Sequence, residues 1–345
     1  GSQPGCRRGI ELAGVLMGNR NLQKRVYNCL RGGAMWNARL LAARCGTSQQ
    51  AVRQAVAALR CSGCAVWDIP GFGWLLPKAA PPLNAAAIRQ WLPAGAPWRI
   101  FTYTELDSTM DEAQRLAELG CEEYTVVFSE SQRAGCGRLA RPWYSPAGEG
   151  IWMTVLLRPK LPLEQATLFP LLAAVAVAEA LHGLGFDVGI KWPNDILAAD
   201  SAHWRRKLCG IRAEMAAGVS GMDWLSLGIG VNVNQQELPP ELAGIAVSLR
   251  ELNHGVPLLR ARIAAAVLQQ LVENYRRLQH EGFAGIRRTW LSYALCLGEY
   301  VTIQGAGTPQ QGIATGIDMQ GCLLLQEEGA ALPQPVLAGD MVTQC

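Results

Sequence analysis

The chain has 345 residues, of which 50% are hydrophobic and 17% charged. That much apolar material builds sizeable cores in two or three domains and excludes a disordered or fibrous chain. The net charge of +3 says nothing about partners as a total, but its distribution does.

No stretch reaches the roughly 18–20 uninterrupted apolar residues that span a bilayer. The longest, Phe169 to Phe186, carries Glu179 and His182 and reads as a buried helix. No apolar run and small-residue cleavage site follow Arg7 and Arg8, so no secretory signal and no membrane are expected, and the cytoplasm is the expected location. The 11 cysteines are odd in number and irregularly spaced, which predicts reduced thiols. Cys61 and Cys64 have zinc-ligand spacing, but a structural zinc needs four ligands and no second pair exists, so no metal site is expected.

From Arg20 to Lys78 nine basic residues face one acid, Asp68, leaving this part at +8 and the remainder at −5. A positive module on a negative chain points to a polyanion. Asn37 to Arg44 fits a short helix, Gly46-Thr47-Ser48 a turn with an N-cap hydroxyl, and Gln49 to Arg60 a second helix with Val52, Val56 and Leu59 on one stripe. Its other face, led by Ser48, carries Gln49, Gln50, Arg53 and Gln54, side chains suited to base edges. Ala65 to Asp68 and Trp74 to Leu76 read as a hairpin around Pro70-Gly71-Phe72-Gly73. This order is the layout of a winged helix-turn-helix, predicted over residues 20–82. Residues 83–97, with a short helix over Asn84 to Leu92 between Pro-rich stretches, read as a linker.

Residues 98–293 mix strands and helices in an α+β pattern with a mixed sheet. Strands are expected at Arg99 to Leu106, Thr125 to Glu130, Gly150 to Leu157, Gly189 to Trp192, Arg206 to Met215 and Trp224 to Val233. Helices are expected at Met110 to Leu119, capped by Asp107-Ser108-Thr109, and at Leu163 to Leu184 and Arg260 to His280. Residues 294–345 carry short apolar runs between Gly, Asp and Pro, the pattern of a small SH3-like β-barrel.

Four segments carry candidate chemistry. Gln132 to Trp143 combines glycines with Arg133, Arg138 and Arg141, and its backbone N–H and guanidinium groups suit a phosphate, although it is neither a Walker loop nor a dinucleotide fingerprint. Lys191-Trp-Pro-Asn-Asp195 brackets a stiff turn. Lys207-Leu-Cys-Gly-Ile211 opens a strand whose Gly210 admits close approach by a ligand. Gly228-Ile-Gly-Val-Asn232 places an Asn in an apolar run, where it needs a partner. Each segment alone also fits an ordinary strand or surface loop.

Together, in this order, they resemble the biotin protein ligases, and the front module makes the chain similar to the bifunctional form, ligase plus biotin operon repressor. The resemblance implies a central ligase domain of class II synthetase-like fold. It implies that biotin and ATP, with Mg²⁺, give biotinyl-5′-adenylate, and that biotin then passes to one lysine of a biotin carboxyl carrier protein. It implies Lys207, Arg138, Lys191 and Asp195 as catalytic. The implied biotin site comprises Ser108, Thr109, Met110, Gln132, Gly135, Cys136, Gly137, Arg138, Trp143, Lys207, Gly210 and Ile211. Arg138, Arg141, Lys207 and Asn232 are implied at the nucleotide. It further implies operator DNA as a partner and a homodimer when ligand is bound.

Two departures stand out. The family loop usually reads Gly-Arg-Gly-Arg-x-Gly-Arg, and here Cys136 replaces its first Arg and Ala140 its third Gly. Retained Arg138, Arg141 and Lys207 predict retained activity. Ala resists positive φ, so Ala140 is expected to stiffen the loop. Three rival readings are a lipoate ligase on the same scaffold, a repressor whose catalytic centre has decayed, and a ligase whose winged helix no longer binds DNA.

Overall fold

A computed structural model describes residues 21–343 apart from 62, 65, 77–80, 219–220 and 306–307. Arg20, Ala65, Lys78, the Ala79-Ala80 stretch and the chain end at 344–345 lie outside the described residues. The chain divides into two compact units: residues up to Pro81 with Val256–Leu259, and Pro82–Gly255 with Arg260–Cys345.

The first unit has a helix at residues 21–30 (α1), then α2 (Ala38–Cys45), α3 (Gln49–Cys61) and a hairpin of β1 (Trp67–Ile69) and β2 (Gly73–Leu75). Asn37 caps α2 by accepting from Leu40 N at 2.9 Å, and Gly46 ends it in the left-handed region, where glycine carries no Cβ penalty. Ser48 Oγ accepts from Ala51 N at 3.1 Å at the head of α3. Val52, Ala55, Val56 and Leu59 of α3 are buried against Val26 and Leu30 of α1 and Leu41 of α2. The hairpin sits one to two residues off its expected bounds. Pro70-Gly71-Phe72 forms its turn, and Trp36 adds a bridge to Trp74.

The second unit is α+β. Residues 83–97, expected as a linker, are packed into it: Leu83 and Ile88 are buried, as is Trp98 beyond them, because the apolar positions of α4 (Ala85–Arg89) and its flanks have a core to cover. A seven-stranded sheet runs in the order β3-β4-β5-β9-β8-β7-β6, comprising β3 (Arg99–Leu106), β4 (Thr125–Gln132), β5 (Gly150–Leu157), β6 (Val188–Lys191), β7 (Asp195–Ala198), β8 (Lys207–Gly218) and β9 (Gly221–Asn232). Only β3 and β4 pair in parallel. β5 is buried along its whole length, as its unbroken apolar run requires of a strand covered on both faces.

The expected helix over Leu163 to Leu184 is a 3₁₀ turn (Leu163–Thr167) followed by α6 (Leu168–Gly183). Pro170 therefore falls in the first α turn, where a missing N–H costs nothing. By length and composition this helix could cross a membrane, yet most of it is buried inside the fold, with α8 (Arg260–Glu281) and α9 (Phe283–Tyr293) packed on it. At the head of α8, Arg260 is 2% exposed; it donates to Gly150 O at 3.2 Å and pairs with Glu130 at 3.0 Å. α5 (Thr109–Glu118) follows β3, and α7 (Leu249–Leu252) follows β9.

The chain closes with an antiparallel five-stranded sheet in the order β13-β12-β11-β10-β14: β10 (Tyr300–Gln304), β11 (Gln310–Ile317), β12 (Leu323–Gln326), β13 (Gln334–Val336) and β14 (Asp340–Thr343). It belongs to the second unit rather than to a separate one. Among the described residues its edges β13 and β14 do not pair with each other.

Candidate active site

β8 and β9 build the floor. Their register sets Gly210 opposite Gly230 and Arg212 opposite Gly228, so glycines face the same side on neighbouring strands. A Cβ on Gly210 would come within 2.9 Å of the Trp143 ring, and one on Gly230 within 2.5 Å of its Nε1. The bare backbone therefore makes the bed on which the indole lies. Trp143 Nε1 is buried and has no acceptor among the described residues, the kind of atom a ligand oxygen satisfies. The cavity over this floor measures 410 Å³, within the range of small-molecule sites.

One end is polar. Ser108 caps α5 by accepting from Met110 N at 3.1 Å. This turns Thr109 toward Gln132 at the end of β4: Gln132 Oε1 accepts from Thr109 N at 2.8 Å and from Thr109 Oγ1 at 3.1 Å. Thr154 Oγ1 donates to Thr109 Oγ1 at 2.8 Å. Gln132 Nε2 donates to Ser145 Oγ at 3.0 Å, and Ser145 donates to Trp143 O at 2.9 Å. The result is a connected line of donors and acceptors at the mouth of an apolar slot that Met110, Trp143 and Ile211 help to line.

The other end is cationic. Lys207 Nζ lies 2.7 Å from Asp195 Oδ1 and 5.4 Å from the centre of the Trp143 ring. Lys191 and Asp195 are register partners across the β6–β7 hairpin, whose turn is Trp192-Pro193-Asn194 with a cis Trp192–Pro193 bond. Asn194 N–H₂ and C=O both engage Ile211 of β8 and fix that turn to the floor. From the loop, Arg138 Nη1 donates to Asn194 Oδ1 and to Gly339 O, each at 3.3 Å, and lies 3.5 Å from Asp340. Arg141 pairs with the same Asp340 at 2.8 Å.

The structure gathers every expected site residue of this unit on the cavity wall except Gly135. A Cβ at Gly135 would meet Gln132 Nε2 at 2.7 Å and Ser145 Oγ at 2.8 Å, so this glycine lets the loop pack behind the polar end. Asn232 lines the cavity, but protein groups already engage it: Nδ2 donates to Val247 O at 3.3 Å and Oδ1 accepts from Gln235 at 3.2 Å. Its partners are groups of the fold itself. Ala140 departs from expectation. It adopts φ 54°, as does Leu139 before it, so the loop takes the left-handed region without glycine and carries the associated strain. Cys209, beneath the floor, is fully buried, and burial pushes its thiol far up into the neutral form.

Residues 103–232 match the Biotin/lipoate A/B protein ligase family. The bifunctional ligase/repressor BirA of Bacillus spizizenii is 36% identical over 287 residues, which span 82% of this chain and 86% of that protein. The chain belongs to the biotin protein ligase family. Its likeness to the bifunctional ligase/repressor BirA of Escherichia coli is 29% identity over 307 residues, or 88% of this chain and 92% of that one. A biotin protein ligase from Aquifex aeolicus, in complex with biotin and ATP, matches with a TM-score of 0.60 at 30% identity, over 71% of this chain and 98% of that structure.

Within this biotin protein ligase family member, three wall residues escape a reading of local motifs: Asn194 as a partner of Arg138, Asp340 as a partner of both loop arginines, and Arg212. Asn194 sat inside a motif already singled out. Asp340 had no local signal, since it approaches the loop from the far end of the chain. Arg212 had one: a charged side chain two residues beyond Gly210, on the glycine face of its strand.

In the first unit, Ser48, Gln49, Gln50, Arg53 and Gln54 are all exposed on one side of α3, opposite its buried stripe. Seven basic residues of this unit lie among the described ones, and all seven are exposed. Arg60 pairs with Asp68 at 3.6 Å, and Arg25 donates to Cys45 O.

Proposed function

We propose that this chain activates biotin with ATP and passes the biotinyl group to a lysine of a biotin carboxyl carrier protein. One observation carries this reading: Lys207, Arg138 and Arg141 converge on a single cavity whose opposite end is a hydrogen-bonding line above an apolar slot. Biotin has that polarity, with a ureido ring of two N–H donors and one carbonyl, an apolar body and tail, and a terminal carboxylate.

In the first step a carboxylate oxygen attacks the α-phosphorus, and the bond from that phosphorus to pyrophosphate breaks. Two anions must meet, so cations held in place beforehand lower the barrier. Lys207 serves the carboxylate and α-phosphate, and Arg138 and Arg141 serve the phosphates. Gln132, Thr109 and Ser108 orient the ureido ring, with Gly135, Cys136 and Gly137 as backbone partners. In the second step the acceptor amine attacks the acyl carbon and AMP leaves. Asp195, with Lys191 beside it, orients that amine and takes up its proton. The loop over the cavity excludes water from the mixed anhydride between the steps.

Mg²⁺ belongs to this reading as the counter-ion of the polyphosphate. Among the described residues no group of three His, Cys, Asp or Glu gathers, and the two carboxylates at the cavity, Asp195 and Asp340, are already paired with cations. No step above runs through a protein-held metal.

The first unit reads as a winged helix-turn-helix, supported by the order α2, turn, α3, hairpin and by the exposed Gln and Arg face of α3. With it the chain acts as a biotin-responsive repressor. Two copies, joined when ligand is bound, would match a two-fold operator. The closing five-stranded sheet reads as SH3-like, and the cytoplasm is where ATP and the carrier meet the enzyme.

Incubation with biotin, ATP, Mg²⁺ and a carrier domain is expected to release pyrophosphate and add one biotinyl mass to the carrier lysine. Absence of biotin-dependent pyrophosphate would overturn the reading, and turnover with lipoate in place of biotin would redirect it.

A further inference from the structure

Arg212 stands on β8 two residues beyond Gly210 and faces the cavity. Its guanidinium touches the loop. Nη1 donates to Cys136 Sγ at 2.7 Å and to Gly137 O at 3.3 Å. Glu214, on the same face of β8, pairs with Nη2 and also accepts from Gln114 of α5. The guanidinium is thus held on one side by a fixed carboxylate and presented on the other to the loop. It arrives at Cys136, where the loop bears a thiol in place of an arginine.

We propose that Arg212 is a positioning residue of the ligase reaction: it supplies from β8 the guanidinium that the loop lacks at Cys136 and latches the loop over the acyl-adenylate. This rests on the ligase reading above. Three arguments support it. The later half of the loop is tied to β14 through Arg138, Arg141 and Asp340, so the Arg212 contacts tie its earlier half to the floor. A strand holds a guanidinium in place more firmly than a loop does, and the planar donor group suits two acceptors at once. An arginine at position 136 would set two like charges side by side, so the small thiol and the strand arginine form a matched pair.

The test uses the full chain and follows loss of biotinyl-adenylate to buffer in the absence of carrier, beside kcat and KM for biotin in pyrophosphate release. R212L is expected to release the adenylate about 10-fold faster or more, the scale of a lost charge-assisted hydrogen bond. Its KM should rise more than its kcat falls, with thermal stability near that of the parent. R212K should fall between the two. The exchange variant C136R/R212L should return to within about 3-fold of the parent, while C136R alone should not improve on it, a non-additivity that independent sites do not show. If R212L does not fold, R212Q replaces it with the same expectation. An active parent whose folded R212L or R212Q retains adenylate equally well overturns this proposal alone, as does an exchange variant no better than R212L. A parent without biotin-dependent pyrophosphate release overturns the ligase reading and this proposal together.

Discussion

Lys207 stands at the cationic end of the cavity. Asp195 holds its ammonium at 2.7 Å and the Trp143 ring lies beneath it at 5.4 Å, so its charge is already aimed when substrate arrives. Removing a preorganised charge of this kind costs about 100-fold to 1,000-fold in kcat. K207A is therefore expected to lose that much in pyrophosphate release while binding of the ligand-free chain to DNA stays as in the parent. Equal losses in both would show that the substitution damages the fold rather than the site. Lys207 was legible in the sequence because a lysine three residues before a glycine at a strand start is a local pattern. Arg212 left a weaker trace. Asp340 left none, since its neighbour Gly339 is 201 positions from the arginine it contacts.

Elements with a complete local grammar fall where the sequence places them. β3 and β5 match their expected bounds, and α5 starts within one residue because Ser108 is a good cap and a polar strand end precedes it. β7 was missed, since its four residues carry no pattern apart from their hairpin with β6. α9 was also missed, although Phe283, Ile286 and Trp290 form a helical stripe that periodicity alone could have found. α5 also makes a pH prediction. Arg115 hydrogen-bonds Glu112 at 2.8 Å, and Tyr103 donates to the same carboxylate at 2.6 Å. The bonds from Arg115, and then that from Tyr103, hold the Glu112 carboxyl below its ordinary range. A depressed carboxyl contributes stability above its unfolded pKa of about 4.3 and loses it as pH falls through the folded value. E112Q should thus be less stable than the parent near neutrality, and its melting temperature should fall less steeply between about pH 5 and about pH 3. Parallel pH profiles would refute this role for Glu112.

The whole chain separates a basic unit from a catalytic one. Charge distribution showed the first, and the ordered motifs the second. The packing of residues 83–97 within the ligase unit was hidden, because Pro-rich composition looks the same in a linker and in a folded strap. If α3 reads operator DNA, binding should weaken steeply with salt, and R53A should cost about 1–3 kcal/mol in a titration followed by fluorescence anisotropy. An R53A variant with unchanged affinity and salt slope would remove α3 from the interface.

The hold of Asp340 on Arg138 and Arg141 has a consequence for what the flap admits. Asp340 engages both guanidinium groups, so an anion that bridges the two arginines would compete with this carboxylate. A chloride or an acetate brings no more charge than the carboxylate it would replace and lacks the reach to engage both arginines. A triphosphate brings several charges along one chain. On the ligase reading, the last strand would therefore favour polyphosphates over common salts at the loop arginines.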